Sequence, residues 1–395
     1  MKRYIRPNQE QKVVKHYGIF RYQLTTFQAV ALIVSGTIGA GVLGIPYAVA
    51  KVGIGLGVVL IIVIGMLMMG MNLLIGEIAV RTSQPLQLAG LASRYLGSFG
   101  KWGMTTIVYF TLFGVLTIYI IGEGEALSAL LGGSAYRWSV LFFLLGSLLI
   151  FTGMRTIKIA EFFLSLAVLL VVLLIAVFSA PHASVGHFRY VNLAQILFPY
   201  GVLLFAFHGT TTIPEAYSIL SNKKENFRRA IIAAGIITTA VYVVFAVAAV
   251  AVTGADTTEI ATVGMGRVIG VKMLVLGNIF AALAMGTSFL VAGLGLRDSL
   301  QWDYKISNHT AILLVCGVPF LLFIFGLRGF IQTIDLVGGV LMSLELLLIL
   351  VIYWRAKQKG DLAVGKYHLH HTALLAALLV LALTVGAVYS VVKMF

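Results

Sequence analysis

"SGTIGAGVLGIP", residues Ser35 to Pro46, decides how this chain is read. Four of the nine residues from Gly36 to Gly44 are glycine, in a stretch otherwise rich in Val, Leu, Ile and Ala. Each glycine costs a helix interior about 1 kcal/mol relative to alanine. Helix-weakening residues thus sit where the flanking apolar sequence calls for a helix. The solvent around the segment determines what that means.

That solvent is lipid. Hydrophobic residues make up 60% of the chain and charged residues 11%, with a mean hydropathy of +1.02. A soluble domain carries about 25% charged residues. Hydropathy marks eleven spans, near 26–49, 54–80, 102–130, 138–153, 157–180, 193–219, 229–253, 270–297, 309–326, 330–353 and 371–392. Such runs are long enough to cross about 30 Å of hydrocarbon. The expectation is an all-α polytopic membrane protein with no sizeable soluble domain. Thr25 to Gln28 reads as a capping box before the first span. "PLQLAGLASRYLG", between spans two and three, reads as a short amphipathic helix on the membrane surface.

The single cysteine, Cys316, lies inside an apolar run and has no partner for an intramolecular disulfide. The first 24 residues are polar and basic, without the apolar core of a signal peptide. The net charge of +14 is assigned to loops on one side of the membrane rather than to nucleic-acid binding. With the N-terminus inside, 21 of the 28 Lys and Arg fall on inner segments and 7 on outer ones. Positive charge stays on the cytoplasmic side, so the N-terminus is expected in the cytoplasm and the C-terminus outside. Residues Asn222 to Arg228 are then inner and Phe188 to Tyr190 outer. Short loops and compact size point to a prokaryotic inner membrane.

In hydrocarbon every backbone polar group needs a partner, so an unwound segment survives only where it lines a cavity or is buried in protein. Gly36, Gly39, Gly41 and Gly44 permit such unwinding, and Pro46 fits the early part of a renewed helix. Span six repeats the design as "FPYGVLLFAFHGTTTIPE", with a break expected from Phe205 to Thr211. Of four prolines at membrane depth (Pro46, Pro199, Pro214 and Pro319) three fall in spans one and six. Paired interruptions five spans apart point to an inverted-repeat transporter with its site at the midplane. The chain divides into a cytoplasmic tail (1–24), a first repeat of helices one to five (25–180), a second of helices six to ten (192–354), and an inner loop with an eleventh helix (355–395). The alternative is that the glycines merely allow tight helix packing.

"GTIGAGVLGIPYA" and "FAFHGTTTIPE" resemble the first- and sixth-helix signatures of the amino acid/auxin permease family, within the amino acid–polyamine–organocation superfamily. "YIIGEGEAL" and "TSFLVAGLGLRDSL" fit the same pattern, and the resemblance covers nearly the whole chain. It implies five plus five inverted helices, an appended eleventh, and secondary active amino acid transport by alternating access.

An amino acid brings two charges into low dielectric, where unpaired charges are costly. The half-helix after the first break offers free N–H groups and a positive dipole end to a carboxylate, here assigned to Ala40, Gly41 and Val42. Carbonyls of Thr37, Phe205 and Phe207 suit the ammonium. Ile38, Gly39 and His208 complete the two breaks. The resemblance adds Tyr119 on span three and Ser288 and Ala292 on span eight as side-chain walls. No Lys or Arg occurs in either break, which favours a neutral amino acid.

Other intramembrane ionisable groups are Glu77, Glu123, Glu125, Asp335 and Glu345, each read as functional or as bound to neighbouring helix ends. Glu215 follows Pro214 and fixes the short helix after the second break. "YHLHH" at 367–371 reads as a basic loop edge before a metal cluster. No cofactor is expected beyond a sodium ion.

Two coupling ions stay open. In sodium-coupled transporters of the fold that the resemblance implies, a cation sits between the first break and an eighth-helix Ala-x-x-Thr-Ser. Here that motif runs from Ala284 to Ser288. Carbonyls of Ser35, Ile38 and Ala284 with the hydroxyls of Thr287 and Ser288 would form a neutral oxygen shell. The rival is a proton on His208, whose side chain titrates near physiological pH. The expected partners are an amino acid, the coupling ion and the lipid membrane, with no nucleic acid and no obligate protein. A membrane amino acid sensor on the same scaffold, without net transport, is the alternative function. An enzyme is not expected, since paired His/Asp or Cys clusters at catalytic spacing are missing.

Overall fold

The computed structural model describes residues 26–84, 86–152, 170–220, 226–362, 367, 369 and 372–393, and its elements are helical throughout. Thr25 and most of the 157–180 span lie outside the described residues. The first span is two helices, α1 (Thr26–Thr37) and α2 (Gly41–Val52), bent by 62°. α3 is Ile54–Arg81. α4 (Leu88–Leu131) joins the amphipathic segment to span three across Gly97, whose φ of 75° kinks the chain. A positive φ there favours glycine. α5 is Ala135–Thr152 and α6 is Leu170–His182. The sixth span is also two pieces, α7 (Tyr200–Ala206) and α8 (Thr212–Ile219).

Beyond it lie α9 (Phe227–Thr253), α10 (Ala261–Ile269), α11 (Val271–Tyr304) and α12 (Asn308–Ile324). α10 has no mark in the hydropathy of the connection between spans seven and eight. Span ten is α13 (Phe330–Asp335), a π-helical stretch (Leu336–Met342) and α14 (Ser343–Lys359). α15 (Thr372–Val392) closes the chain.

Seven described helices are long and apolar enough to cross a membrane, eight with α1 and α2 taken as one bent span. Hydropathy alone marks eleven. The difference has three sources: span six is split into two short helices, α12 has only 17 residues, and α6 is described only from Leu170. α15 turns Leu374, Leu381 and Val388 outward, all more than half exposed, an apolar face suited to lipid.

Packing sorts the helices. α9 lies along α3 and α1, and α2 packs on α7. α4 lies along α11, α5 and α12. Span ten touches both sets, through α7 and α4, and α15 packs on its π segment. Glycines let backbones meet where span ten crosses α7: a Cβ at Gly338 would stand 2.1 Å from the Gly201 carbonyl oxygen. Asp335, buried beside Gly201, accepts from Ser390 Oγ (3.1 Å) and Lys393 Nζ (2.7 Å), tying α15 to span ten. Glu77 is held by Arg81 (2.6 Å) and by the Tyr353 hydroxyl (3.1 Å). These two carboxylates therefore serve the scaffold.

Candidate functional site

The last regular hydrogen bond of α1 runs from Ile38 N–H to Val34 O (2.8 Å). Helical bonding resumes with Val42 N–H to Gly39 O (3.3 Å) and Leu43 N–H to Ala40 O (3.0 Å). Between them, the N–H groups of Gly39, Ala40 and Gly41 have no partner among the described residues. Three successive donors at the start of a 12-residue helix are an arrangement able to accept an anion. The expected donor set thus shifts back by one residue. The Val42 N–H is engaged and its side chain is buried outside the cavity, so Val42 leaves the set and Gly39 enters it.

α7 ends with Phe207 N–H donating to Leu203 O (2.9 Å), then a tight turn from His208 N–H to Phe205 O (3.2 Å). The two breaks touch. A Cβ at Gly209 would stand 2.1 Å from Thr37 Oγ1, and one at Gly36 would stand 2.0 Å from Thr212 Cγ2. Tyr242, on α9 and fully buried, reaches both: its hydroxyl donates to Ala206 O at 2.6 Å and lies 3.3 Å from Thr37 O. Nothing in the sequence pattern marks Tyr242, because its role depends on a helix outside either break.

A cavity of about 230 Å³ opens where the breaks meet. Thr37, Ile38, Gly39, Ala40 and Gly41 line it from span one, and Phe205 and His208 from span six. Tyr119, Ser288 and Ala292 line it from α4 and α11. Phe207 does not. Its ring packs edge-on against Tyr242, centroids 4.8 Å apart, on the side of α3. A β-branched or even methyl group at Gly41 would meet Ala206 Cα at 2.8 Å, so that glycine serves contact between the breaks. At Gly39 the nearest atom to a Cβ is Tyr119 Oη, 4.0 Å away, so that glycine faces open cavity.

Ser35, Ala284 and Thr287 also line this cavity, so the five residues of the sodium set share one wall with the substrate candidates. Ser35 donates to Leu32 O (3.0 Å), and Thr287 donates to Leu283 O (2.9 Å) and Ala284 O (3.2 Å), so the Ala284 carbonyl of that set already accepts a hydrogen bond. Among the described residues no three His, Cys, Asp or Glu side chains gather as a metal cluster.

The second break gains a carboxylate. Glu345, 1% exposed, lies 3.0 Å from His208 Nε2, and the Thr210 hydroxyl donates to the same Glu345 oxygen at 3.0 Å. Met342, the last residue of the π stretch of span ten, and Glu345, just after it, line the cavity. A π turn inserts a residue and rotates the helix beyond it. The intramembrane glutamate is visible in the sequence; its pairing with His208 is not.

A family model described as the tryptophan/tyrosine permease family matches residues 23–390. This replaces the amino acid/auxin permease family that the motifs resemble. Tyrosine-specific transport system 1 of Haemophilus influenzae is 26% identical over 359 residues, covering 83% of this chain and 87% of that one. Tyrosine-specific transport system 2 of the same organism is 25% identical, with 84% and 88% covered. Glutamine transporter 2 of Aliivibrio fischeri is 26% identical, with 84% and 90% covered. The crystal structure of MhsT in complex with L-phenylalanine shares the fold, with a TM-score of 0.66 at 13% identity, covering 93% of this chain and 100% of that one.

Proposed function

Because the chain belongs to the tryptophan/tyrosine permease family, we propose that it is a secondary active transporter of neutral amino acids working by alternating access. The observation that carries this is the meeting of two helix breaks at one cavity, with three N–H groups that have no partner among the described residues and no Lys or Arg among the described residues of its wall. The relatives named for tyrosine and glutamine transport support the amino acid class. We assign eleven spans in two inverted five-helix repeats plus α15, with the N-terminus cytoplasmic and the C-terminus outside. In that orientation the cavity runs from the breaks toward the cytoplasm, since its lining comes from the early turns of α4 (Val108) and the later turns of α11 (Ala292). The opposite side is packed, with Gly44 against Ile331 and Gly122 against Phe330.

A sodium ion at Ser35, Ile38, Ala284, Thr287 and Ser288 is one coupling reading, favoured by hard oxygen ligands. The His208–Glu345 pair favours a proton instead, because it places two ionisable side chains 3.0 Å apart on the cavity, inside the membrane-spanning region. Counterflow of labelled amino acids in proteoliposomes tests transport: exchange supports it, and saturable binding without any exchange selects the sensor. Uptake driven by a sodium gradient at fixed pH selects sodium, and uptake driven by an inward proton gradient without sodium selects the proton.

A further inference from the structure

Helix threonines in this protein ordinarily satisfy their hydroxyls on the preceding turn. Thr117 donates to Phe113 O at 2.8 Å, Thr239 to Gly235 O at 2.8 Å and Thr253 to Ala249 O at 2.8 Å. This back-bonding is the usual resort of a threonine in an apolar helix. Thr111, on α4, departs from it. Its Oγ1 is buried with no hydrogen-bond partner among the described residues, while the residue, 4% exposed, lines the cavity. Its neighbours on that wall, Val108, Leu112 and Val115, are apolar. His208 and Glu345, polar groups on the same cavity, are bonded to each other. A buried hydroxyl without a partner is costly; a turn of the Thr111 side chain about χ1 would bring its oxygen from the wall to the cavity, where an occupant could supply the partner.

We propose that Thr111 is a specificity-determining residue, hydrogen-bonding the polar tip of the substrate's side chain. The site would then prefer an amino acid ending in a hydroxyl or amide over an apolar one of the same size. This rests on the amino acid reading above. A site built around a buried polar group rejects the analogue that leaves the group unpaired.

The test is calorimetric binding to the purified full-length protein with two matched pairs, tyrosine against phenylalanine and glutamine against methionine. In at least one pair the polar member is expected to bind about tenfold tighter, the order set by one buried hydrogen bond. Thr111→Val, equal in size, is expected to bring that ratio to near one by weakening the polar member alone, and Thr111→Ser to keep it. Ratios near one in the wild type for both pairs overturn the proposal. So does a Thr111→Val protein that keeps the ratio or weakens both members equally, and so does a wild type that binds neither pair. The ratio is read from binding, so a protein that binds without exchanging contradicts transport and leaves this preference standing.

Discussion

At the first break the polar groups offered to the cavity are backbone N–H groups, those of Gly39, Ala40 and Gly41. At the second they are side chains, His208 joined by Thr210 to Glu345 from span ten. Backbone dipoles are fixed charges that do not change with pH, and they suit a group present in every amino acid. Imidazole and carboxylate change charge with one proton and suit the part of a cycle that must switch. On the function proposed above, the first break would hold the common carboxylate, and the His208–Glu345 pair is the proton-coupling candidate beside the sodium set around Ser35 and Thr287. Tyr242 keeps them in register by reaching a carbonyl of each.

The largest effect should come from filling the cavity at the first break. Gly39→Val is expected to lower amino acid affinity at least a hundredfold with the melting temperature nearly unchanged, since a Cβ there meets nothing closer than 4.0 Å. Gly41→Val is a different experiment: its Cβ meets the Ala206 backbone, so it is expected to lower the melting temperature as well. Similar stability losses for both variants would erase the distinction between a glycine facing the cavity and one joining the breaks.

Next comes the second break. Glu345→Gln keeps the shape of the pair but removes the charge. The expected outcome is retained counterflow with loss of accumulation driven by a proton gradient. Accumulation at the wild-type level would move the coupling site to the sodium set around Ser35 and Thr287. The smallest effect is Tyr242→Phe, which removes one buried hydroxyl and leaves the ring on Phe207. Losing that hydrogen bond should cost about 1–3 kcal/mol of stability, read as a drop in melting temperature, with both breaks weakened together.

The breaks are legible in the sequence because glycine and proline clustered at membrane depth weaken a helix exactly where lipid demands one, and only a cavity or buried backbone tolerates that. Thr37 to Gly41, Phe205, His208, Tyr119 and Ser288 all line one cavity. Val42 is misplaced by one residue, because the point where a helix resumes depends on the first closed turn, which composition does not set. Phe207 is misplaced because two aromatics two positions apart on a helix point to nearly opposite sides, and the packing against Tyr242 turns the Phe207 ring away from the site. The roles of Glu345 and Tyr242 escape for a common reason. Each stands in a largely apolar span without a motif around it, and its partner lies 137 residues away for Glu345 and 36 residues away for Tyr242. The π stretch that precedes Glu345 has no sequence mark either; it contains the close crossing with α7, in which Gly338 meets Gly201.

The claim that the first break is a carboxylate site is tested most directly by a structure of the protein with a bound amino acid. The account predicts the carboxylate oxygens within about 3 Å of at least two of the Gly39, Ala40 and Gly41 nitrogens, at normal hydrogen-bond distance. A carboxylate bound instead by His208, or lying away from these three nitrogens with its ammonium in their place, would contradict it.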